Sequence, residues 1–373
     1  MSADARIGYR PTWAEINLDN LAFNFHQIKR LVSPQTKVLV TVKADAYGHG
    51  LIPVSKKLVE CGVDFLGVAS IDEGIKLREA GIKKSVLVLG AVLNEDIEPL
   101  FEYGLTPSVC TEDLGLALSK KGKRLKKRIK VHIKIDTGMG RIGVLHQDAL
   151  KLIKAVHKME AVEIEGLFTH FAFADLDKEF TGYQMRLFNN LVTSLRKSDI
   201  SIPLHHSANS MGVLNFKESH FNMVRPGIIC YGLRPVKELP IKIKPVLSLK
   251  TRVVYTKRVP KDFGLSYGHA YVTKKATTVV TLPVGYGDGY PRQLSNIATV
   301  LIGGKTYKIS GRICMDQVLV DVGDAKVKVG DEVVLIGTQG KQEVTSEMLA
   351  ALCGTIPYEI VCGLGSRIPR VYV

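Results

Sequence analysis

From about residue 37 to about 232, short apolar runs alternate with amphipathic ones in a regular beat. KVLVTV, DFLGVAS, SVLVLG, TPSVC, KVHIKID, VEIEGLFTH, IPLHHSA and MVRPGIICYG read as short buried strands. Between them, IDEGIKLREAG, NEDIEPLFEYG, QDALKLIKAVHKM and KEFTGYQMRLFNNLVTSLRKS repeat apolar residues at three- and four-residue spacing. Several of these end at Gly or a basic turn, as helices do. Eight strands, each followed by a helix, predict an α/β fold, a closed parallel (β/α)8 barrel of the TIM type. An open doubly wound sheet is the poorer reading. Eight strands in one sheet usually curl or close, and no GxGxxG follows the first strand.

The beat stops near residue 240. KPVLSLKTRVVYTKRV, ATTVVTLPVG, TVLIGGKTYKISG, QVLVDVG and DEVVLIG then follow one another without helices, punctuated by Gly and Asp turns. They predict a mostly β domain, interrupted by one short helical run, TSEMLAALCG. The early TWAEINL reads as a strand ahead of the barrel. The expected division is therefore 1–18 as an N-terminal strand joining the β domain, 19–238 as the barrel, and 239–373 as the β domain.

Charge changes this picture little. The formal net charge of +15 could signal a nucleic-acid partner, but much of it sits in SKKGKRLKKRIK (119–130). That run has eight basic residues and no aromatic to stack on a base, so it reads as a solvated helix or loop. Six scattered cysteines form no CxxC pair and read as free thiols, with no metal site expected. No apolar stretch is long enough to span a bilayer, and the first thirty residues do not pattern as an export signal, so a cytoplasmic, membrane-free protein is expected.

The candidate chemistry begins where the first barrel strand runs into Lys43, in TVKADAYGHG. Reactive groups of such barrels sit at the carboxyl ends of strands. A lysine held there is partly desolvated, which lowers its pKa and frees the amine to attack carbonyls. The following Tyr47, Gly48, His49 and Gly50 supply a phenol and a backbone that a ligand can approach closely. A lysine merely reaching out of the barrel mouth would be equally compatible with position alone.

The motifs VKADAYGHG, HIKIDTGMGRIG, GLFTHFAFAD, HHSANS, MVRPGIICYG, GLSYGHAY, LPVGYGDGYPR, ISGRICMDQ and GTIPYEIV occur in one order along the whole chain. Together they resemble the alanine racemases. The resemblance implies pyridoxal 5'-phosphate (PLP) as cofactor, alanine as substrate and D-alanine for peptidoglycan as the product's use. It makes Lys43 the Schiff-base lysine and one of two catalytic bases. Tyr47, Ser210, Tyr358 and the amides of Gly227 and Ile228 would hold the phosphate, and His206 would pack against the cofactor ring. Arg141 would meet the phenolic oxygen and the substrate carboxylate, steadied by a carbamylated Lys134. Arg225 would bond the pyridine nitrogen. A guanidinium does not readily surrender a proton, so the ring stays a weaker electron sink, which suits simple reprotonation.

Racemisation also needs a base on the opposite face. The resemblance gives this role to Tyr267, reaching in from the other subunit of a homodimer. Moving a phenol from about 10 to about 7 takes about 4 kcal/mol, and a chain from Tyr267 through His170 to Arg225 is the implied source of part of it. Met315 would bind the substrate carboxylate, while Tyr286, Arg292 and Arg312 would line the entrance; for both arginines a surface ion pair is an equal reading. Pro357 stands where relatives often carry asparagine. His205 reads as a core residue. The rival readings are a racemase of broader specificity and a PLP decarboxylase of the same barrel type. Arg225 and Tyr267 disfavour the decarboxylase, which usually has a glutamate at the pyridine nitrogen.

Overall fold

A computed structural model describes residues 9–236 and 238–373. The chain opens with β1 (Thr12–Ile16) and helix Leu18–Leu31. The barrel strands follow as β2 (Lys37–Thr41), β3 (Phe65–Val68), β4 (Ser85–Val88), β5 (Thr106–Val109) and β6 (Ile129–Asp136), with a two-residue strand β7 (Val144–Leu145) beside β6. They continue as β8 (Val162–Phe168), β9 (Leu204–His206) and β10 (Met223–Val224). Pairing is parallel throughout, in the order β10-β2-β3-β4-β5-β6-β8-β9. The last gap, between β9 and β10, is spanned by a bond from the Arg225 amide to the Ala208 carbonyl at 2.9 Å. This is the expected eight-stranded parallel barrel, nearly closed.

Side chains alternate across a strand, and here the alternation separates two environments. Val38, Val40, Val131, Ile133, Leu167 and Val224 join the large core beneath the helices. Leu39, Phe65, Leu87, Leu204 and Met223 form a separate cluster drawn only from barrel strands, which fills the barrel's floor. Counting on by two from that floor reaches Thr41 and Lys43, Ala69, Leu89, and Arg225 and Gly227, while on β8 Phe168 and His170 stand at the parity opposite the outward Leu167. These residues line the cavity at the barrel's carboxyl end. The parity of the apolar pattern thus decides which polar residues face the site.

In the β region, Leu247–Arg252 pairs antiparallel with β1, and β1 pairs in parallel with the terminal strand Arg370–Tyr372. A sheet of seven strands results, accompanied by a three-stranded sheet of Tyr255–Val259, Thr277–Leu282 and Val318–Gly323. Beyond the predicted helix Ser346–Cys353 there is a second one, Pro357–Cys362, with proline in its first turn. Most of the basic run is helical, ending helix Glu112–Leu125; Lys121 pairs with Glu98 at 2.8 Å and Lys123 with Glu160 at 3.1 Å. The six cysteines are free. Among the described residues no helix is long and apolar enough to cross a membrane, and no cluster of three or more His, Cys, Asp or Glu could hold a metal.

Candidate active site

Lys43 enters the cavity immediately before an unusual piece of backbone. Ala44, Asp45, Ala46 and Tyr47 all lie in the left-handed helical region, with φ between 52° and 56°. For L-residues this costs about 1–2 kcal/mol each, so the turn persists only if its surroundings impose it. The Glu73 carboxylate accepts from the Ala44 and Ala69 amides, both at 2.7 Å. Asp45 accepts from the Leu51 amide at 2.7 Å, capping the next helix. His49 is fully buried, with Nδ1 2.8 Å from the Tyr47 carbonyl. Burial lowers its pKa to about 4, so the ring is neutral and Nδ1 carries the donating proton.

The turn sends the Tyr47 ring back into the barrel, 4.8 Å from the Tyr231 ring and 5.8 Å from that of Tyr358. A Cβ on Gly227 would lie 2.6 Å from the Tyr47 hydroxyl, so the phenol needs glycine there. Ser210 Oγ accepts from the Gly227 amide at 2.9 Å, and Asn209 caps helix Ser210–Asn215 through the Gly212 amide. Tyr47, Asn209, Ser210, Gly227, Ile228 and Tyr358 together make a polar corner of the cavity.

The opposite side is cationic. The cavity has a volume of about 340 Å³ and is lined by Lys43, Lys134, Arg141 and Arg225, with no carboxylate among its described lining residues. Burial, then Arg141, lowers the Lys43 pKa, while Glu73 opposes the shift from behind. Lys134 lies 4.4 Å from the Phe168 ring centroid, and burial followed by Arg225 and Arg141 brings its pKa to about 7. His170 is driven well below its ordinary value by burial and then Arg225, so it is neutral. Arg141 is presented by a loop that Asp136 ties down by accepting from the Gly138, Met139 and Gly140 amides at 2.8, 2.9 and 3.2 Å.

Arg225 is nearly encased. Nη1 donates to His206 Nδ1 and the His206 carbonyl at 2.9 and 2.8 Å, and Nη2 to the Thr169 and Ser207 carbonyls at 2.6 and 3.1 Å. Nε has no protein partner among the described residues. Burial lowers the Arg225 pKa to about 9, which leaves it charged at neutral pH. Because His206 Nδ1 accepts, its Nε2 donates to His132 Nδ1 at 2.8 Å, and His132 Nε2 in turn reaches Glu165 at 3.3 Å. Burial alone would raise Glu165, but the hydrogen bonds from His132 and Lys130 outweigh it and hold the carboxyl at about 2.

The two histidines of the expected site are placed as follows. His206 does not pack on the cavity but is fully buried behind Arg225, its ring stacked on Phe168 at 4.9 Å. Arg225 is bonded to His206, and no bond joins it to His170 among the described residues. Phe168, Glu73, His132 and Glu165 were not singled out from sequence. Phe168 has the inward parity that would have found it.

The remaining candidates lie elsewhere. Tyr267 is 69% exposed on a turn of the β region, where it shares a shallow hollow with Cys314 and Met315. Ser266 and His269 flank it at positive φ. Tyr286 is exposed beside them, its amide bonded to the Cys314 carbonyl and that of Gly287 to the Met315 carbonyl. Arg312 packs over Gly268, and Arg292 begins the turn Arg292–Leu294. Both arginines are exposed, and neither forms an ion pair among the described residues. None of Tyr267, Tyr286, Arg292, Arg312 and Met315 lines the barrel cavity of its own chain.

Residues 16–235 match the family model for the alanine racemase N-terminal domain, and residues 246–372 that for the C-terminal domain. An alanine racemase of Halothermothrix orenii is 50% identical over 97% of both chains. A solved alanine racemase from Clostridium difficile 630 superposes with a TM-score of 0.93 at 39% identity, covering 98% of this chain and 96% of that one. A histidine racemase from Leuconostoc mesenteroides superposes with a TM-score of 0.90 at 26% identity, covering 98% of each. With both domains matched and this identity held over nearly the full length, the chain belongs to the alanine racemase family.

Proposed function

We propose that the protein interconverts L- and D-alanine with PLP, by proton exchange on two faces of the substrate, in a homodimer whose partner copy supplies Tyr267. The observation that carries this reading is a cavity with four basic side chains, a polar corner built on Gly227, and no carboxylate among its described lining residues. Such a site suits a ligand bearing a phosphate, a phenolate and a carboxylate. PLP, joined to a substrate amine, withdraws electrons and so acidifies the α-carbon.

The residues present fit this group. Lys43, with its lowered pKa, is the attachment point and the base on one face. Tyr47, Ser210, Gly227, Ile228 and Tyr358 would hold the phosphate, and the Arg225 Nε, without a partner among the described residues, would face the pyridine nitrogen. Arg141 would meet the phenolic oxygen and the substrate carboxylate, the latter joined by the Met315 amide. Lys134, whose pKa near 7 leaves much of its amine neutral, would take up CO2; the resulting carbamate would balance Arg141 and Arg225. Tyr267 on the other face needs a second copy, which is why it stands exposed here, with Tyr286, Arg292 and Arg312 around the entrance. D-alanine supply for peptidoglycan in the cytoplasm is the physiological role this reading assigns.

The likeness to a histidine racemase favours one alternative, a racemase accepting larger side chains. The test is to assay Lys43→Ala and Tyr267→Phe with each alanine enantiomer while following cofactor absorbance. Lys43→Ala should lose the covalently held cofactor. Tyr267→Phe should retain it while racemisation falls about 10²–10⁴-fold in both directions, and exchange of the α-hydrogen with solvent should survive with one enantiomer only. Mild losses, with α-hydrogen exchange retained equally for both enantiomers, would defeat the two-base scheme, and comparable turnover of histidine would establish the broader reading.

A further inference from the structure

The left-handed turn after Lys43 is held from inside by Glu73 and Asp45, but its outer side rests on the last residues of the chain. The terminal strand Arg370–Tyr372 belongs to the β region's sheet through its pairing with β1. From it, the half-buried Arg370 guanidinium reaches across and donates from Nε to the Gly48 carbonyl at 3.0 Å. Its other nitrogens are committed to the final loop: Nη1 to the Gly365 and Ile368 carbonyls at 2.6 and 2.7 Å, and Nη2 to Leu364 at 2.6 Å. One planar fork thus ties the turn to the chain's end, a geometry that an ammonium cannot reproduce.

Two glycines show how closely the parts fit. A Cβ on Gly48 would lie 2.3 Å from the Val361 carbonyl oxygen, and one on Gly50 would lie 1.9 Å from the Tyr372 hydroxyl. Both glycines have positive φ, 78° and 97°, so they answer a backbone need as well as a steric one. Asp45, which caps the following helix, also lies in the electrostatic reach of Arg370 and Tyr372.

We infer that Arg370 is a positioning residue for Lys43: it fastens the left-handed turn to the β region, so that the amine is aimed by both domains. This rests on the proposed role of Lys43. The consequence is indirect, because Arg370 does not line the cavity and reaches it only through the turn that carries Lys43. Loosening the turn should disturb proton exchange on the Lys43 face and leave the other face and substrate capture alone.

The test compares the PLP-loaded wild type with Arg370→Lys and Arg370→Gln, with Tyr372→Phe as a milder variant in case the others fold poorly. Hydrogen exchange by mass spectrometry, run with cofactor and after its removal, reads the amides of Ala46, His49 and Gly50. These are bonded within the turn to Val42, Ala46 and Asp45. The Arg370 variants should exchange at least about tenfold faster in peptides over 42–50. Their kcat should fall about tenfold or more, with KM within about twofold. The α-deuterium isotope effect should rise with one enantiomer only. Tyr372→Phe should show the same pattern more weakly. Unchanged exchange over 42–50 would overturn the inference, as would an isotope effect that rises equally with both enantiomers, or activity losses that merely track a lower Tm. A wild type that neither binds PLP nor racemises alanine would instead sink the functional reading on which it stands.

Discussion

Lys134 is a buried amine facing two guanidinium groups, an arrangement that only a change of charge can relieve. Its pKa falls from the ordinary 10.5 to about 7. Between those values the unfolded chain binds the proton and the folded one does not, so this group makes stability rise with pH across that window. The same neutral amine is a nucleophile for CO2. Incubation with 13C-bicarbonate should give a carbamate carbon signal that grows as pH rises through about 7 and is absent in Lys134→Ala. That variant should raise the KM for alanine, since Arg141 loses its steadying partner. No signal at any pH would remove the carbamate from the account. At this scale much of the site was legible. Lys43, Lys134, Arg225 and Gly227 stand at inward-facing parity on apolar strands, and parity can be counted. Glu73 was not legible: it acts from the first turn of the helix Ile71–Glu79, on backbone amides, and no side-chain pattern announces such a bond.

Elements divide in the same way. The barrel's helices and strands could be read because their periods, 3.6 and 2, are imposed by burial over many residues. The left-handed turn Ala44–Tyr47 could not, because alanine and tyrosine have no intrinsic reason to adopt it. Tertiary contacts write that conformation, Glu73 foremost. Glu73→Gln keeps the size but replaces one acceptor oxygen by a donor opposite an amide. It should cost about 1–3 kcal/mol, seen as a Tm lower by several degrees, together with weaker retention of PLP on dialysis. A Tm and retention equal to wild type would mean that the turn is held without it. Helix Pro357–Cys362 was missed for a different reason. Its six residues are too few to show a period, although Tyr358 on it was found from the motif.

For the whole molecule, the informative feature is an exposed face. Tyr267, Tyr286 and Met315 lie open together on the β region, while the cavity they would serve is in the barrel. Apolar and aromatic groups so exposed mark an interface more often than a free surface. Met315→Asp should therefore shift the proposed dimer toward monomer at low concentration, by light scattering, and lower activity in proportion. An equally tight dimer would place the interface elsewhere. The sequence alone could assign Tyr267 to a second copy only through its resemblance; the structure adds that it is out of reach of its own chain's cavity lining.

The central claim is that one active site takes its amine from one chain and its phenol from another. It is tested most directly by mixing. Lys43→Ala and Tyr267→Phe chains, each nearly inactive alone, should regain activity when co-folded. The mixed dimer then holds one site with both native residues and one with neither. Random pairing of equal amounts should return about a quarter of wild-type activity. If the mixture stays as inactive as its components while mixed dimers are demonstrably present, the shared site does not exist.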